Sequence, residues 1–420
     1  MNANSEYSFD NYADLIKLLL EQISRLPPPL RERLEKELNE LLRLLEDIRS
    51  PRFMLFGRRG AGKSSLINAI FDVYVAKTGA VEAQTGEPQW YEYERGGKRA
   101  EILDTRGILE GGKPQEQDAA KTPQESILEA VRDKCPDIIL FLCKSTEVDA
   151  AINESLDIFD SLISKLEGMH EYNPPIVGIV TQCDQLEPAD INRLPTDDEE
   201  NNQNISHAVE VLARHLQSRR NLNNNFVEVI PVAAFVRFRE KDGTPDKNRD
   251  LRWNIDRLTE LLVDELPKGP DIAFARLARV RKFQRKIAGN IVNICSTACG
   301  GVATSPIPMS DLPVLAGIQL AMVVIIGYIS GRELSFQAAG EFLTAFGINV
   351  GSGFVLREVA RSLVKLLPGF GSVVSAGVAF AGTQALGQAA IAYFIDEIPL
   401  EKVKQKYDSQ MNNRPDSSSK

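Results

Sequence analysis

Cysteine is scarce in this chain and histidine scarcer, with five and three in 420 residues. Cys135, Cys143, Cys183, Cys295 and Cys299 are odd in number, lack C-x-x-C spacing and sit in apolar surroundings. That pattern excludes a disulfide framework and reads as reduced core thiols on a cytosolic side. His170, His207 and His215 are isolated, so no zinc site is expected. The opening stretch, residues 1–14, is polar and acidic and has no secretory signal pattern. Positive charge is in deficit: the formal net charge is −9, which argues against nucleic acid as a partner. One region nearly lacks charge of either sign. From 287 to 395 the only charged side chains are Asp311, Arg332, Glu333, Glu341, Arg357, Glu358, Arg361 and Lys365. No repeat of fixed period is present, and the length calls for two or three domains.

Against these absences stands Gly57-Arg58-Arg59-Gly60-Ala61-Gly62-Lys63-Ser64-Ser65, which fits G-x-x-x-x-G-K-[ST]. A glycine-rich turn exposes a nest of backbone N–H groups, and the next helix adds its N-terminus, so an anionic phosphate is held from both sides. Lys63 would reach the β- and γ-phosphates and the Ser64 hydroxyl would ligate Mg²⁺. The flanks suit this reading. Residues 53–56 (F-M-L-F) form a short buried strand pattern and 66–71 a helical one.

Before the loop lie two helical patterns, 10–26 and 30–49, split by Pro27-Pro28-Pro29. The second is amphipathic, suited to packing on a neighbouring domain or to binding a partner. After it, Gln89–Arg95 reads as a strand, Gly96-Gly97 as a hairpin turn, and Arg99–Asp104 as the returning strand. That strand ends in Asp104-Thr105-Arg106-Gly107. In a D-x-x-G at this place Asp104 lies near Mg²⁺ and the Gly107 N–H meets the γ-phosphate, so the loop senses that phosphate. Thr85, with Thr78 as runner-up, is the second hydroxyl for Mg²⁺. Residues 111–121 read as a mobile loop, and Thr122-Pro123-Gln124-Glu125 as a helix start. Buried strands are expected at 137–143 and 176–180, with a helix at 152–166 between them. The second strand runs into Thr181-Gln182-Cys183-Asp184. An aspartate there accepts from N1–H and the 2-amino group of guanine, donors that adenine lacks. Residues 188–204 read as a solvated acidic loop, 205–220 as a helix, and 226–232 as a last strand. That strand ends at Ala233-Ala234, whose N–H groups face guanine O6. Asn254 or Asp256 caps a helix to about Glu265, and Pro267-Lys268-Gly269-Pro270 reads as a domain boundary.

Beyond it, Arg276, Arg279, Arg281, Lys282, Arg285 and Lys286 form a basic run that suits an anionic leaflet. Residues 312–330 are long enough to cross a bilayer, yet the Gly, Ala, Ser and Thr content equally suits close-packed helices in a soluble bundle. The tail after Ile398 turns polar and is expected to be disordered over 401–420.

Residues 53–265 resemble an Era-like (HSR1-related) P-loop GTPase, through G-R-R-G-A-G-K-S-S-L-I-N-A, D-T-R-G, T-Q-C-D and the strand ending at Ala233-Ala234. The C-terminal part resembles the YcjF-like domain, through Pro306-Ile307-Pro308 before Asp311, Gln319, Pro368-Gly369-Phe370-Gly371 and Thr383-Gln384-Ala385-Leu386-Gly387. More loosely, helices on both sides of a G domain look like the immunity-related GTPases. The resemblance implies an α/β fold with a mostly parallel sheet carrying one antiparallel hairpin strand. An N-terminal helical segment (1–50) precedes the GTPase domain (51–268), and an all-α hydrophobic domain (269–400) follows. It implies GTP, GDP and Mg²⁺ as ligands and hydrolysis of GTP to GDP and phosphate. It also implies membrane contact through 269–400, on the cytoplasmic side of a bacterial inner membrane, with a cytoplasmic protein as the alternative. A nucleotide-dependent homodimer that remodels membranes or binds partners is the competing reading, and an ATP-driven machine a third. Three departures stand out. Gln182 replaces the usual lysine of [NT]-K-x-D, Ile108 stands where many small GTPases carry a water-orienting glutamine, and Gly60 replaces the asparagine of potassium-assisted relatives. Gln182 implies a lower affinity for guanine, Ile108 implies slow intrinsic turnover, and Gly60 gives no support to the potassium-assisted mechanism, with Arg59 as a candidate for the missing catalytic charge.

Overall fold

The computed structural model describes residues 49–72, 89–95, 98–105, 123–149, 152–191, 193–239, 243–302, 312–332, 342, 376–412 and isolated positions between 20 and 39. The chain divides into two compact units, Arg49–Val280 and a second that joins Met1–Ile48 to Arg281–Lys420.

In the first unit the strands are β1 (Arg52–Phe56), β2 (Gln89–Arg95), β3 (Lys98–Asp104), β4 (Ile138–Lys144), β5 (Ile176–Thr181) and β6 (Phe226–Pro231). They form one sheet in the order β2-β3-β1-β4-β5-β6, antiparallel only between β2 and β3. Both central strands read as unbroken apolar runs because both faces are covered: β5 is buried throughout and β4 up to its last residue. The helices are α1 (Lys63–Phe71), α2 (Pro123–Arg132), α3 (Ile152–Glu167), α4 (Glu199–Gln217), α5 (Arg220–Asn223), α6 (Ile255–Glu265) and α7 (Pro270–Leu277). Phe56, Phe141 and Phe159 interlock where β1, β4 and α3 meet, with ring centroids 4.7–5.8 Å apart. At the sheet edge, Trp90 Nε1 donates to the Ala130 carbonyl (2.8 Å) and ties β2 to α2.

Some expectations shift. The acidic segment at 188–204 is not a loop to its end, because α4 starts at Glu199. Asp198 caps it by accepting from the Asn201 N–H (2.8 Å), and Glu199 and Glu200 complement the helix dipole in the first turn. Asn254 occupies the N-cap position of α6, but its side chain donates to the Pro231 carbonyl (2.8 Å), joining this helix to the end of β6. A second, two-stranded sheet of β7 (Val236–Phe238) and β8 (Pro245–Asp250) was not legible in the sequence. Pro267–Pro270 is no boundary. Pro270 opens α7, whose Phe274 packs on Phe53 (centroids 5.2 Å apart), and the division between units falls at Val280. The Gly96-Gly97 turn, the 111–121 loop and Thr122 lie outside the described residues.

The second unit holds α8 (Arg281–Val302), α9 (Leu312–Ile329), α10 (Ala376–Phe394) and α11 (Leu400–Asn412). Every residue from Ile318 to Ile329 is buried, so α9 is enclosed on all sides. Its one amide, Gln319 Nε2, donates to Thr383 Oγ1 on α10 (2.9 Å); likewise Gln284 Nε2 donates to the Ile329 carbonyl (2.9 Å) and Ser296 Oγ to Gln384 Oε1 (3.0 Å). Buried polar groups thus find partners and fix the register of the helices. Gly387 lets α10 approach α8, where a Cβ would meet Val292 Cγ2 at 2.4 Å. The 401–420 tail is corrected in part. Residues 400–412 are helical because Val403 and Tyr407, one turn apart, bury themselves in the apolar cluster. The expectation for 413–420 lies outside the described residues, as do Pro306–Asp311 and Pro368–Gly371. Among the described residues no helix is long and apolar enough to cross a membrane. The basic run is also partly neutralised: Arg281 pairs with Glu397 and Arg285 with Asp396, both at 2.6 Å. Among residues 1–48, the described positions from Pro28 to Asn39 are helical, and Leu20 packs against the apolar cluster.

One buried carboxylate joins the start of β1 to the start of β4. Asp137 accepts from Arg49 Nη1 (2.7 Å) and Nη2 (2.5 Å) and from the Arg52 N–H (2.8 Å), with only 3% of its side chain exposed. Removing it strands the Arg52 N–H, whereas Arg49 is 43% exposed and regains water. Asp137→Ala is therefore expected to cost about 2–3 kcal/mol, at the low end for breaking a buried pair. Urea unfolding of the full chain, followed by circular dichroism, measures it.

Candidate nucleotide site

The loop between β1 and α1 has its shape imposed from below. A Cβ at Gly57 would meet the Leu142 carbonyl oxygen of β4 at 2.5 Å, so the chain can cross there only as glycine. Gly62 then takes φ 81° at the N-cap of α1, a left-handed conformation that an L side chain resists. Gly62 has no side chain and so makes no side-chain cap hydrogen bond at the start of α1. Lys63 is buried, and its ammonium donates to the Gly57 carbonyl (2.6 Å) and the Arg58 carbonyl (3.2 Å). The loop thus wraps its own cation. The arrangement puts one positive charge and a helix N-terminus in a small space, which suits a polyanion.

The loop is braced from β5. Thr181 Oγ1 donates to the Ala61 carbonyl (2.9 Å), and Gln182 Nε2 to the Gly60 carbonyl (2.8 Å). Gln182 is itself left-handed at φ 58°, and its carbonyl accepts from Ser145 Oγ (2.9 Å). Asp184 follows in a short turn, half-buried, with no ion pair among the described residues. Burial pushes its carboxyl above the ordinary value, opposed by a hydrogen bond to its own backbone. β6 comes alongside through the Cys183 N–H to the Val232 carbonyl (3.2 Å), which carries Ala233 and Ala234 to the same edge. The Ala233 N–H donates to the Trp253 carbonyl (3.3 Å), so the donor expected from this pair falls to Ala234. Burial holds the nearby Cys143 and Cys183 thiols at about 12, and neither supplies a thiolate.

Ser64 lies half-buried in the first turn of α1, and Ser65 beside it is exposed. Asp104 ends β3 in register with Leu55, two residues before Gly57, and Thr105 Oγ1 anchors that strand end on the Leu55 carbonyl (2.8 Å). The Ser64 hydroxyl is a hard oxygen donor of the kind Mg²⁺ takes, and the chain carries Asp104 to the neighbouring strand end. Thr78, Thr85, Gly107 and Ile108 lie outside the described residues. Arg58 is half-buried and Arg59 exposed; no ion pair or hydrogen bond of the Arg59 side chain occurs among the described residues.

Residues 52–181 match the family described as 50S ribosome-binding GTPase, of the HSR1 type. Among similar proteins, YkfA of Escherichia coli (strain K12) is 26% identical over 180 residues, 42% of this chain and 55% of YkfA. YfjP of the same organism is 26% identical over 257 residues, 61% of this chain and 74% of YfjP. The chain thus spans little more than half the length of YkfA. Among solved structures, a probable GTP-binding protein engB shares 16% identity, with 51% of this chain and 97% of that one covered and a TM-score of 0.31. The family match begins at β1, takes in the phosphate loop and ends at Thr181, so residues 52–181 match an HSR1-related P-loop GTPase domain.

Proposed function

We propose that the protein binds GTP in this site and hydrolyses it slowly to GDP and phosphate, acting as a switch whose output passes through the helical unit. The observation that carries the reading is the loop itself, with its glycine crossing, wrapped lysine and threonine–glutamine brace. The residues that hold the nucleotide are Gly57, Arg59, Gly60, Ala61, Gly62, Lys63, Ser64 and Ser65 at the phosphates. Thr181, Gln182, Asp184 and Ala234 serve at the base, with Ala233 holding Ala234 in place through its bond to Trp253. Ser64, Thr85 and Asp104 are the residues for Mg²⁺, which when bound neutralises charge on the β- and γ-phosphates. Water attacks the γ-phosphorus, the bond to the bridging oxygen breaks, and GDP leaves with that oxygen. The Gly107 N–H serves the γ-phosphate. Output at a membrane surface, on the cytoplasmic face of a bacterial inner membrane, fits the charge-poor helical unit. The contact is peripheral in this reading and involves the basic run from Arg276 to Lys286.

A nucleotide-dependent dimer in which hydrolysis is secondary is favoured by one feature. Arg59 stands exposed at the loop tip with no partner among the described residues. A guanidinium so placed can offset charge at the β–γ bridge of its own site or of a facing copy.

Lys63→Ala and Ser64→Ala are each expected to weaken GTP·Mg²⁺ binding by at least about a hundredfold, since each removes a direct contact to charge. Equilibrium binding of the folded variants checks this, and ordinary affinity in Lys63→Ala would remove the P-loop reading. Asp184→Asn is expected to weaken GTP relative to xanthosine triphosphate, because it presents a donor to guanine's donors. The raised carboxyl of Asp184 sets the sign with pH: preference for guanine is present above its folded pKa and is lost on acidification sooner than for an ordinary aspartate. Competition with ATP, GTP and xanthosine triphosphate between pH 7 and 5 measures both. For Arg59→Ala, turnover at equal occupancy is expected to fall by about tenfold or more. If Arg59 acts on a facing copy, wild-type specific activity rises across a hundredfold range of protein concentration; a flat profile assigns it to its own site.

A further inference from the structure

The lysine that Gln182 replaces leaves this end of the loop short of one positive charge, and the fold brings a different lysine there. Lys144 ends β4, beside the last residue of β5 in register with Thr181. A Cβ built on Gly60 would lie 3.4 Å from both Cε and Nζ of Lys144, so its ammonium rests against the same residue whose carbonyl Gln182 holds. Its one described ion pair is with Glu147 at 3.0 Å, three residues on in the short turn after β4. The side chain is 26% exposed, so part of it remains open to solvent. Glu147 therefore does not bury the charge. It holds the stem in one direction, and a half-exposed carboxylate offsets only part of the ammonium.

We infer that Lys144, steadied by Glu147 against Gly60, is a nucleotide-affinity residue that supplies the charge Gln182 does not carry. Two features point the same way. The last position of β4 needs no lysine for packing, since burial of the strand stops there. The ammonium lies at ordinary contact distance from where a Gly60 side chain would begin, so it runs alongside the loop at that residue. The ligand it favours is the anionic, phosphate-bearing part of a nucleoside di- or triphosphate, and the inference rests on the nucleotide-binding reading above.

The test measures the affinity of the full chain for mant-GDP by fluorescence at low and high KCl. Lys144→Gln is expected to lose about tenfold in affinity and part of the salt dependence, with Lys144→Arg retaining both. Glu147→Gln, which frees the ammonium from its carboxylate, is expected to keep or raise affinity. The decisive variant is Lys144→Gln combined with Gln182→Lys. It restores affinity if the missing charge is what matters, and a purely structural role for Lys144 would not be rescued. Wild type that binds mant-GDP while Lys144→Gln binds equally well overturns this inference alone, as does a loss that Gln182→Lys fails to restore. Wild type that binds no mant-GDP overturns the nucleotide reading and this inference with it.

Discussion

The carbonyl oxygen of Leu142 sits where a side chain at residue 57 would have to go. That exclusion sets the rest of the site. With Gly57 pressed onto β4, the loop rises just above the sheet edge, close enough for Thr181 and Gln182 at the end of β5 to reach its carbonyls. Lys63 then turns back over the crossing instead of extending away, because two carbonyl oxygens at 2.6 and 3.2 Å await its ammonium. The turn depends on three adjacent parallel strands: β1 leads into it, β4 places the Leu142 carbonyl beneath Gly57, and the end of β5 holds the Ala61 and Gly60 carbonyls.

The helical unit follows a different logic. Its central helix α9 has no polar face, so periodicity carries no information about which side is packed. Orientation comes instead from a few buried polar partners, Gln319 with Thr383 and Ser296 with Gln384, and from the close approach that Gly387 allows. The polar pairs act as pins: sliding either helix by one residue would leave an amide or hydroxyl without a partner in an apolar interior, costing on the order of 1–3 kcal/mol each.

Much of the first unit was legible because its signals are local. Strand–loop–helix spacing around residues 57–65, the buried runs of β4 and β5, and T-x-x-D at a strand end are written in consecutive residues. What escaped was set by distant partners. The start of α4 depends on Asp198 and on two glutamates that a composition-based reading takes as solvated loop. The β7–β8 hairpin is polar, and its anchor is Arg252, which reaches Asp72 at the end of α1 (2.8 Å) as well as Asp250 (2.6 Å). α11 looks like a tail because its apolar stripe among the described residues is short, Leu400, Val403 and Tyr407, and does not register as amphipathic until the surface that receives it is known. Lys144 gave no signal at all, since nothing in sequence places residue 144 against residue 60.

The helical unit is interrupted by the whole of Arg49–Val280. A chain made from its N-terminus therefore finishes the nucleotide unit while the helical one is still waiting for its second half. Leu20, which packs on the cluster built by α8, α9 and α10, emerges first and finds its neighbours last. Domains fold as units in the order in which they leave the ribosome, and exposed apolar surface is a hazard in the interval. During that interval the segment ahead of Arg49 has only its own amphipathic pattern to rely on. This gives a reason for its density of charged residues, with Arg31 and Glu35 already paired across one helical turn at 3.6 Å: they keep an early arrival soluble until its partners exist.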